Sequence, residues 1–221
     1  MRRADAREDP RLTGAVTCAI LLTCLTVREG ALCVALLARG SRGWALPSAP
    51  VDDREPLDAI AMSLRRRVLS DRPALSEQVR AFSHRASRAE AAVLVGYVAA
   101  FHEGDHPLEG LALHDVERLP RTLSPSSRDA ITAATAYIGM RASHTSVAFS
   151  MLPPRFTLRE LQLVYEVLLG RSVYRASFRR ALKAARAVRA TASWRQEGRG
   201  RPAQLYQFAS KPGNHGALRL P

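Results

Sequence analysis

The segment from residue 157 to residue 187 constrains the fold most, because it holds two amphipathic helices separated by only three residues. Thr157 followed three positions later by Glu160 is a capping box, which predicts the start of the first helix. Gly170 predicts its end, since glycine readily takes the left-handed conformation that stops a helix. A second helix is predicted over 174–187. Two helices joined by a short turn that contains glycine are the pattern of a helix-turn-helix.

Two strands are predicted directly after this helix pair, over 188–194 and 203–208. The glycine-broken loop between them contains Arg199 and Arg201. A helix-turn-helix followed by a hairpin is typical of a winged helix-turn-helix, in which the loop forms the wing. Three aromatic side chains on the strands are predicted to hold the hairpin against the helices: Trp194, Tyr206 and Phe208.

Almost all of the excess positive charge lies in this part of the chain. The net charge is +13, and the residues from Arg155 onward contain 14 Lys and Arg against 3 Asp and Glu. The first 154 residues contain 19 basic and 17 acidic residues. This asymmetry predicts a polyanionic partner for the C-terminal part, with nucleic acid as the first candidate and an anionic membrane surface as the second.

The second helix of the pair has an apolar face and a basic face. Phe178 and Leu182 lie on the apolar side, where they would anchor the helix to its own domain. The opposite side carries the long cationic donors Arg175, Arg179, Arg180, Lys183 and Arg186. Such donors can contact phosphates and guanine edges, although a charged stripe alone is more often a solvated surface. Together with the basic loop, the stripe predicts that the partner is double-stranded DNA.

The N-terminal part is predicted to form an α/β or α+β domain that ends near Pro120. Its predicted elements are strands at 15–27 and 31–38, a helix at about 56–69, and strands at 78–83 and 91–101. Arg28, Glu29 and Gly30 are predicted as a three-residue hairpin link. Between the two domains, prolines and hydroxyl residues predict a linker. The resulting organisation is a tail at 1–13, a domain at 14–120, a linker at 121–127, a DNA-binding domain at 128–210 and a tail at 211–221.

The same composition argues against a membrane or secreted protein. No apolar run reaches the roughly 20 residues that a bilayer span needs. Acidic residues interrupt the arginine-rich start, which therefore does not have the pattern of a signal peptide. Cys18, Cys24 and Cys33 lie in apolar strands without metal-binding spacing, so we expect structural cysteines and a cytoplasmic location.

Three stretches of the C-terminal domain resemble the Nudix-related transcriptional regulators of the NrtR family: 152–171, 177–182 and 200–208. The likeness is close over about 60 residues and weaker over nearly the whole chain. It implies an α+β protein in which a Nudix-like α/β/α sandwich precedes a winged helix-turn-helix. It further implies a homodimer on a palindromic operator.

By position, the resemblance places base contacts on Arg175, Ser177, Arg179 and Arg180. Ser177 departs from the family, whose members usually have asparagine there. The complete set of predicted DNA-binding residues is Arg171, Tyr174, Arg175, Ser177, Arg179, Arg180, Lys183, Arg199 and Arg201.

The metal-binding motif of Nudix enzymes is degenerate in this chain. That motif reads G-x5-E-x7-R-E-U-x-E-E-x-G-U, and its glutamates hold a divalent cation that activates water. Ala49 and Glu55 match the first spacing, with alanine for glycine. Direct counting then places Leu64, Arg67 and Val68 at the glutamates, whereas a shift by one residue places Ser63, Arg66 and Arg67 there. No carboxylate occurs from residue 59 to residue 70 in either register, so we predict no catalytic residue, no metal site and no cofactor.

Arg65, Arg66 and Arg67 leave several functions open for the N-terminal domain. They are candidate effector-binding residues, since arginines can hold the phosphates of a nucleotide-like ligand without metal. They fit equally well on an ordinary exposed face or an interdomain surface, and the domain could serve chiefly for dimerisation. The resemblance points to ADP-ribose or a related nucleotide as effector. The alternatives for the whole chain are a Nudix hydrolase acting on ADP-ribose and a protein-interaction scaffold.

Overall fold

Apolar runs in the first half of the chain form a mixed β-sheet. The computed structural model describes residues 17–52, 54–69, 75–85, 91–104, 110–142, 147–196 and 201–209. The strands of the sheet are β1 (Thr17–Arg28), β2 (Ala31–Ala38), β3 (Trp44–Ala45), β4 (Ser48–Pro50), β5 (Leu75–Arg85), β6 (Ala91–Ala100) and β7 (Leu111–Asp115). The helices are α1 (Leu57–Val68), α2 (Pro125–Ala142), α3 (Val147–Ser150), α4 (Leu158–Leu169) and α5 (Arg175–Ala184). Two further strands, β8 (Val188–Arg195) and β9 (Ala203–Phe208), form a separate hairpin.

The centre of the sheet is a parallel pair, β1 and β6, in register with Ile20 opposite Val95. The order is β3-β2-β1-β6-β5, with β4 paired to β1 and β7 paired to β2, and every pair other than β1–β6 is antiparallel. Strands that are covered on both faces need continuous apolar sequence, which explains the long hydrophobic runs of β1 and β6.

The hairpin between β1 and β2 is tighter than predicted. Arg28 pairs with Ala31, so the turn contains only Glu29 and Gly30. Both turn residues have positive φ, 51° and 79°, as a type I′ turn requires. The expected three-residue link is therefore wrong by one residue, because the hydrogen-bonded pairing extends to Arg28.

Helices cover both faces of the sheet, which gives the predicted α+β class and the α/β/α layers. α1 buries Ile60, Leu64 and Val68 against one face. α2 packs on β1, β5 and β6 at the other face, and also on α4. It begins at Pro125, inside the segment 121–127 that the sequence predicts to be a linker. Because α2 completes the sandwich, we propose that it belongs to the N-terminal unit, although the predicted domain boundary places it in the C-terminal one.

Two tyrosines fasten these helices to the sheet. The Tyr97 hydroxyl donates to Asp58 Oδ1 of α1 at 2.6 Å, and the Tyr137 hydroxyl of α2 donates to Glu77 Oε2 of β5 at 2.5 Å. Arg141 Nη2 donates to Glu77 Oε1 at 2.9 Å. Burial, with the adjacent carboxylate, raises the pKa of both tyrosines. Both phenols are therefore protonated donors at neutral pH, and each helix is held to the sheet by a polar contact as well as by packing.

The hydrophobic core does not stop at the end of the sandwich. One cluster runs from Leu25 and Val34 of the sheet through Ile138 of α2 to Tyr165 and Phe178 of the last two helices. α2 and α4 approach so closely that a Cβ on Gly139 would lie 2.9 Å from the Leu168 carbonyl oxygen. The winged-helix elements are thus packed on the sandwich. Within the described ranges, no helix has the length and apolar character needed to cross a membrane.

Candidate nucleic-acid interface

α4 and α5 form the helix-turn-helix that the sequence predicts. The Glu160 amide donates to Thr157 Oγ1 at 3.2 Å and the Thr157 amide donates to Glu160 Oε2 at 2.6 Å, so the capping box is complete. Gly170 ends α4 with φ 62° and ψ 21°. The rings of Tyr165 and Phe178 meet edge-on with centroids 5.5 Å apart, and this contact anchors α5 on α4.

A carboxylate in α4 fixes the turn that leads into α5. Glu166 Oε1 accepts the Val173 amide at 2.8 Å and Gln162 Nε2 at 3.1 Å. Gln162 Nε2 also donates to the Val173 carbonyl at 3.0 Å. Sequence reasoning missed these hydrogen bonds, although a glutamine and a glutamate four residues apart on one helix face are a recognisable signal. Together these bonds set the position from which α5 leaves the turn.

The basic face of α5 points to solvent. Phe178 is completely buried and Leu182 nearly so, whereas Arg175, Arg179, Arg180 and Lys183 are exposed. These four cations form no ion pair with any residue that the structure describes. Arg171 and Tyr174 are also exposed, Tyr174 at 76%, and Ser177 is half-buried. The predicted donors on this helix are therefore brought together on one accessible face.

α5 ends earlier than predicted, which removes one arginine from the helix. Arg186 has a left-handed backbone with φ 48°, and its amide donates to the Lys183 carbonyl at 3.1 Å. The Ala187 amide donates to the Leu182 carbonyl at 3.2 Å, which completes a Schellman motif. The expectation that Arg186 continues the basic stripe of the helix is wrong, because the chain has already turned there.

The start of α5 has no side-chain cap, in contrast to α4. Tyr174 occupies the N-cap position without a side-chain hydrogen bond, and the first turn contains no acidic residue. The positive end of the helix dipole therefore lies at Arg175 without a capping side chain from Tyr174. Such an end favours an anion.

The hairpin β8–β9 forms the wing, with an additional short pairing. Phe156 and Tyr206 exchange backbone hydrogen bonds of 3.0 and 2.7 Å, which forms an isolated antiparallel β-bridge beside β9. The Phe208 ring packs 4.3 Å from Phe149, so β9 is held to the helices as predicted. In the wing loop, Arg201 is exposed, whereas Arg199 lies outside the described residues.

The expected packing role of Trp194 is wrong, since 55% of this residue is exposed. The neighbouring Arg195 takes the inward direction instead. Its Nη1 donates to Glu160 Oε1 at 2.6 Å, and its Nη2 donates to the Arg155 carbonyl at 3.3 Å. Because adjacent strand residues point to opposite faces, an inward Arg195 places Trp194 on the solvent side. This ion pair ties the wing to the first turn of α4, and sequence reasoning missed it.

The three arginines of α1 do not share one environment. Arg65 is only 7% exposed, because the helical period places it on the same face as Ala61 and Val68. Arg66 and Arg67 are exposed. The expectation of one exposed arginine face is therefore wrong for Arg65. Burial raises the pKa of the neighbouring Cys24 thiol to about 12, and the charge of Arg65 partly opposes that shift.

Burial along α1 also favours one register for the degenerate Nudix motif. Leu64 and Val68 are buried, whereas Ser63, Arg66 and Arg67 are exposed, as positions that once faced a metal would be. The shifted register therefore fits better than direct counting. Among the residues that the structure describes, no three His, Cys, Asp or Glu side chains come together to hold a metal.

The match to a known family falls on the segment that forms this interface. Residues 148–208 match the family model of the NrtR DNA-binding winged helix domain. The C-terminal segment is therefore similar to the winged helix domain of the NrtR family. The ADPR responsive transcriptional repressor NtrR of Acinetobacter baylyi is 36% identical over 93 residues, which are 42% of this chain and 37% of that protein. The chain thus aligns with little more than a third of that curated relative.

Solved structures extend the likeness to the N-terminal half. The structure of Shewanella oneidensis NrtR complexed with a 27mer DNA is similar with a TM-score of 0.74 and 25% identity, over 86% of this chain and 92% of that chain. A MutT/nudix family protein from Enterococcus faecalis shares the fold with a TM-score of 0.61 and 18% identity, over 88% of this chain and 86% of that one. A winged helix similar to that of the NrtR family therefore follows a sandwich with the Nudix-like fold, which confirms the predicted fold and family resemblance.

Proposed function

We propose that the protein is a transcriptional regulator that binds double-stranded DNA through α5 and the wing. The observation that supports this most is the exposed face of Arg175, Arg179, Arg180 and Lys183, whose charges no described acidic residue neutralises. This face lies on an NrtR-type winged helix, and the similar Shewanella protein has a structure with DNA. We further propose a homodimer on a palindromic operator, in which Arg171, Tyr174, Ser177, Arg199 and Arg201 add contacts.

We propose that the Nudix-like sandwich acts as a sensor without hydrolysing its ligand. α1 carries a single carboxylate, Asp58, and the Tyr97 hydroxyl already donates to it. A hard cation needs several oxygen ligands, and Arg66 and Arg67 would repel it. The relative from Acinetobacter is named as ADPR responsive, which supports a nucleotide-like effector such as ADP-ribose. The exposed arginines of α1 would contact its phosphates, and binding would shift the population of dimers whose winged helices fit the operator.

DNA binding is tested by measuring the affinity of the full chain for fragments selected from random sequence, at several salt concentrations. We expect affinity to fall steeply with salt. Arg179→Ala should cost about 1–3 kcal/mol on the selected sequence and relax its base preference. Arg118→Ala is the matched control, since Arg118 is exposed in the turn after β7. Absence of salt-dependent binding by the wild-type chain would refute the proposal.

The sensor role is tested by incubating the protein with ADP-ribose and magnesium. We expect no turnover, together with a change in DNA affinity that Arg66→Ala and Arg67→Ala reduce. Turnover that depends on magnesium would instead establish the alternative, a Nudix hydrolase. An unchanged DNA affinity over a wide range of ADP-ribose concentrations would exclude this ligand as the effector.

A further inference from the structure

A concave groove of about 500 Å³ lies between α4 and α5 on the side of the basic face. Its walls include Arg159 and Gln162 of α4, Arg175 and Arg179 of α5, and Glu166 near the turn. Arg159 is not among the residues that the sequence pattern indicated. The groove therefore joins the first helix of the pair to the basic face of the second.

The charges of this groove are unbalanced in favour of an anion. Arg159, Arg175 and Arg179 are exposed and form no ion pair with a residue in the described ranges. The carboxylate of Glu166 is engaged by the Val173 amide and the Gln162 side chain. Three guanidinium groups thus share the groove with one carboxylate, whose Oε1 already accepts two hydrogen bonds from the protein itself, and the groove keeps a net positive charge.

Two of these arginines lie at helix N-termini, where a cation lowers the stability of the folded protein. Arg159 is the second residue of α4, and Arg175 is the first residue of α5. The N-terminal end of a helix is the positive end of its dipole, so a cation there is destabilising. An anion in the groove would reverse this repulsion, because it would interact favourably with both guanidinium groups and with both helix ends.

The donors and the charge of the groove walls indicate whether a DNA phosphate or a base edge fits the groove better. Gln162 Nε2 already donates to Glu166 and to the Val173 carbonyl, so the arginines supply the remaining side-chain donors of the polar walls. A phosphodiester presents only acceptors and carries a full negative charge, both of which match guanidinium groups, whereas a guanine edge presents acceptors without that charge. We propose that this groove binds one phosphodiester of the DNA backbone and that Arg159 is a phosphate-binding residue. This inference rests on the proposed DNA-binding function.

The proposal predicts opposite effects on stability and on binding for one substitution. Arg159→Ala should leave the melting temperature unchanged or slightly raised, because it removes a cation from a helix N-terminus. The same variant should bind selected and unrelated DNA roughly tenfold more weakly, since it loses a charged hydrogen bond to a group that every sequence has. The slope of log affinity against log salt should become shallower by about 0.9.

The closing experiment compares Arg159→Ala, Arg159→Lys, Arg179→Ala and Arg118→Ala in the full chain, on selected and unrelated duplexes. Arg159→Lys should recover most of the salt slope, Arg179→Ala should change base preference, and Arg118→Ala should resemble the wild type. If Arg159→Ala keeps the wild-type affinity and slope while Arg179→Ala weakens binding, the groove proposal is overturned and the proposed function stands. If the wild type does not bind DNA, both are overturned.

Discussion

The continuity of the core from the sheet to α5 can be tested by removing one side chain, that of Phe178. This ring is completely buried and lies edge-on to Tyr165 at 5.5 Å. Phe178→Ala removes the apolar anchor of α5 and leaves a cavity that the neighbouring helices can only partly fill. Substitutions of this kind cost about 3–5 kcal/mol, and we expect a value in that range for the free energy of unfolding.

Because the cluster that contains Phe178 also contains Leu25 and Val34 of the sheet, we expect the loss to be felt in the sandwich. Trp44 is a reporter there, since its ring lies 4.4 Å from that of His114 in the N-terminal unit. The measurement is Trp44 fluorescence against urea in a Trp194→Phe background. With a denaturant slope of about 2–3 kcal/mol per molar, the midpoint should fall by about 1–2.5 M.

Two substitutions serve as controls. Tyr174→Ala changes an exposed residue next to the same helix and should alter stability by no more than about 0.5 kcal/mol. Phe178→Leu nearly conserves the apolar volume and should cost less than about 1.5 kcal/mol. The reasoning would be refuted if Phe178→Ala left the Trp44 midpoint unchanged while circular dichroism showed the last two helices melted. The two units would then unfold separately, and the shared cluster would transmit no stability between them.

Three further predictions concern single contacts. Arg186→Gly should raise the melting temperature by about 2 °C, because glycine adopts positive φ without strain, whereas Arg186→Ala should bring no such gain. Burial lowers the pKa of His114, so the unfolded chain binds the proton more readily than the folded chain does. The contribution of neutral His114 to the free energy of unfolding should therefore be complete above about pH 6.5 and should decrease as the pH falls. Urea midpoints measured at pH 5.5 and 7.5 should differ less in His114→Gln than in the wild type. Glu160→Gln keeps the capping acceptor but removes the charged pair with Arg195. Hydrogen exchange of the β8–β9 amides should therefore become a few-fold faster, which corresponds to about 0.2–1 kcal/mol for a partly exposed pair. Unchanged exchange would show that the wing does not depend on this ion pair.

The features that the sequence predicted well depend on local chemistry. Thr157, Glu160 and Gly170 define the ends of α4 because capping uses backbone groups within four residues of the side chain. The positions of Phe178 and Leu182 indicate the buried face of α5 because the helical period alone sets it. The charge asymmetry needs no structure at all.

The failures in side-chain placement have one common cause, since each of them concerns a direction or contact set by distant residues. Arg65 belongs to an arginine run that looks exposed, and only the packing of α1 on the sheet buries it. Trp194 faces solvent because Arg195 turns inward to Glu160, which lies 35 residues away in the chain. The hydrogen bond from the Val173 amide to Glu166 and the groove beside Arg159 likewise form only when α5 packs on α4.

For this protein the sequence by itself determined the order of the longer strands, the helix pair with its hairpin, the separation of charge between the two halves and the absence of carboxylates from residues 59 to 70. These follow from residue types and from periods of two or 3.6 residues, which act over a few positions. Tertiary structure alone decided that Arg65 is buried, that Arg159 lies beside the basic face of α5 and how the winged helix shares its core with the sandwich. Those outcomes depend on long-range packing, in which one buried contact between α4 and α5 or between α2 and the sheet orients every side chain beside it.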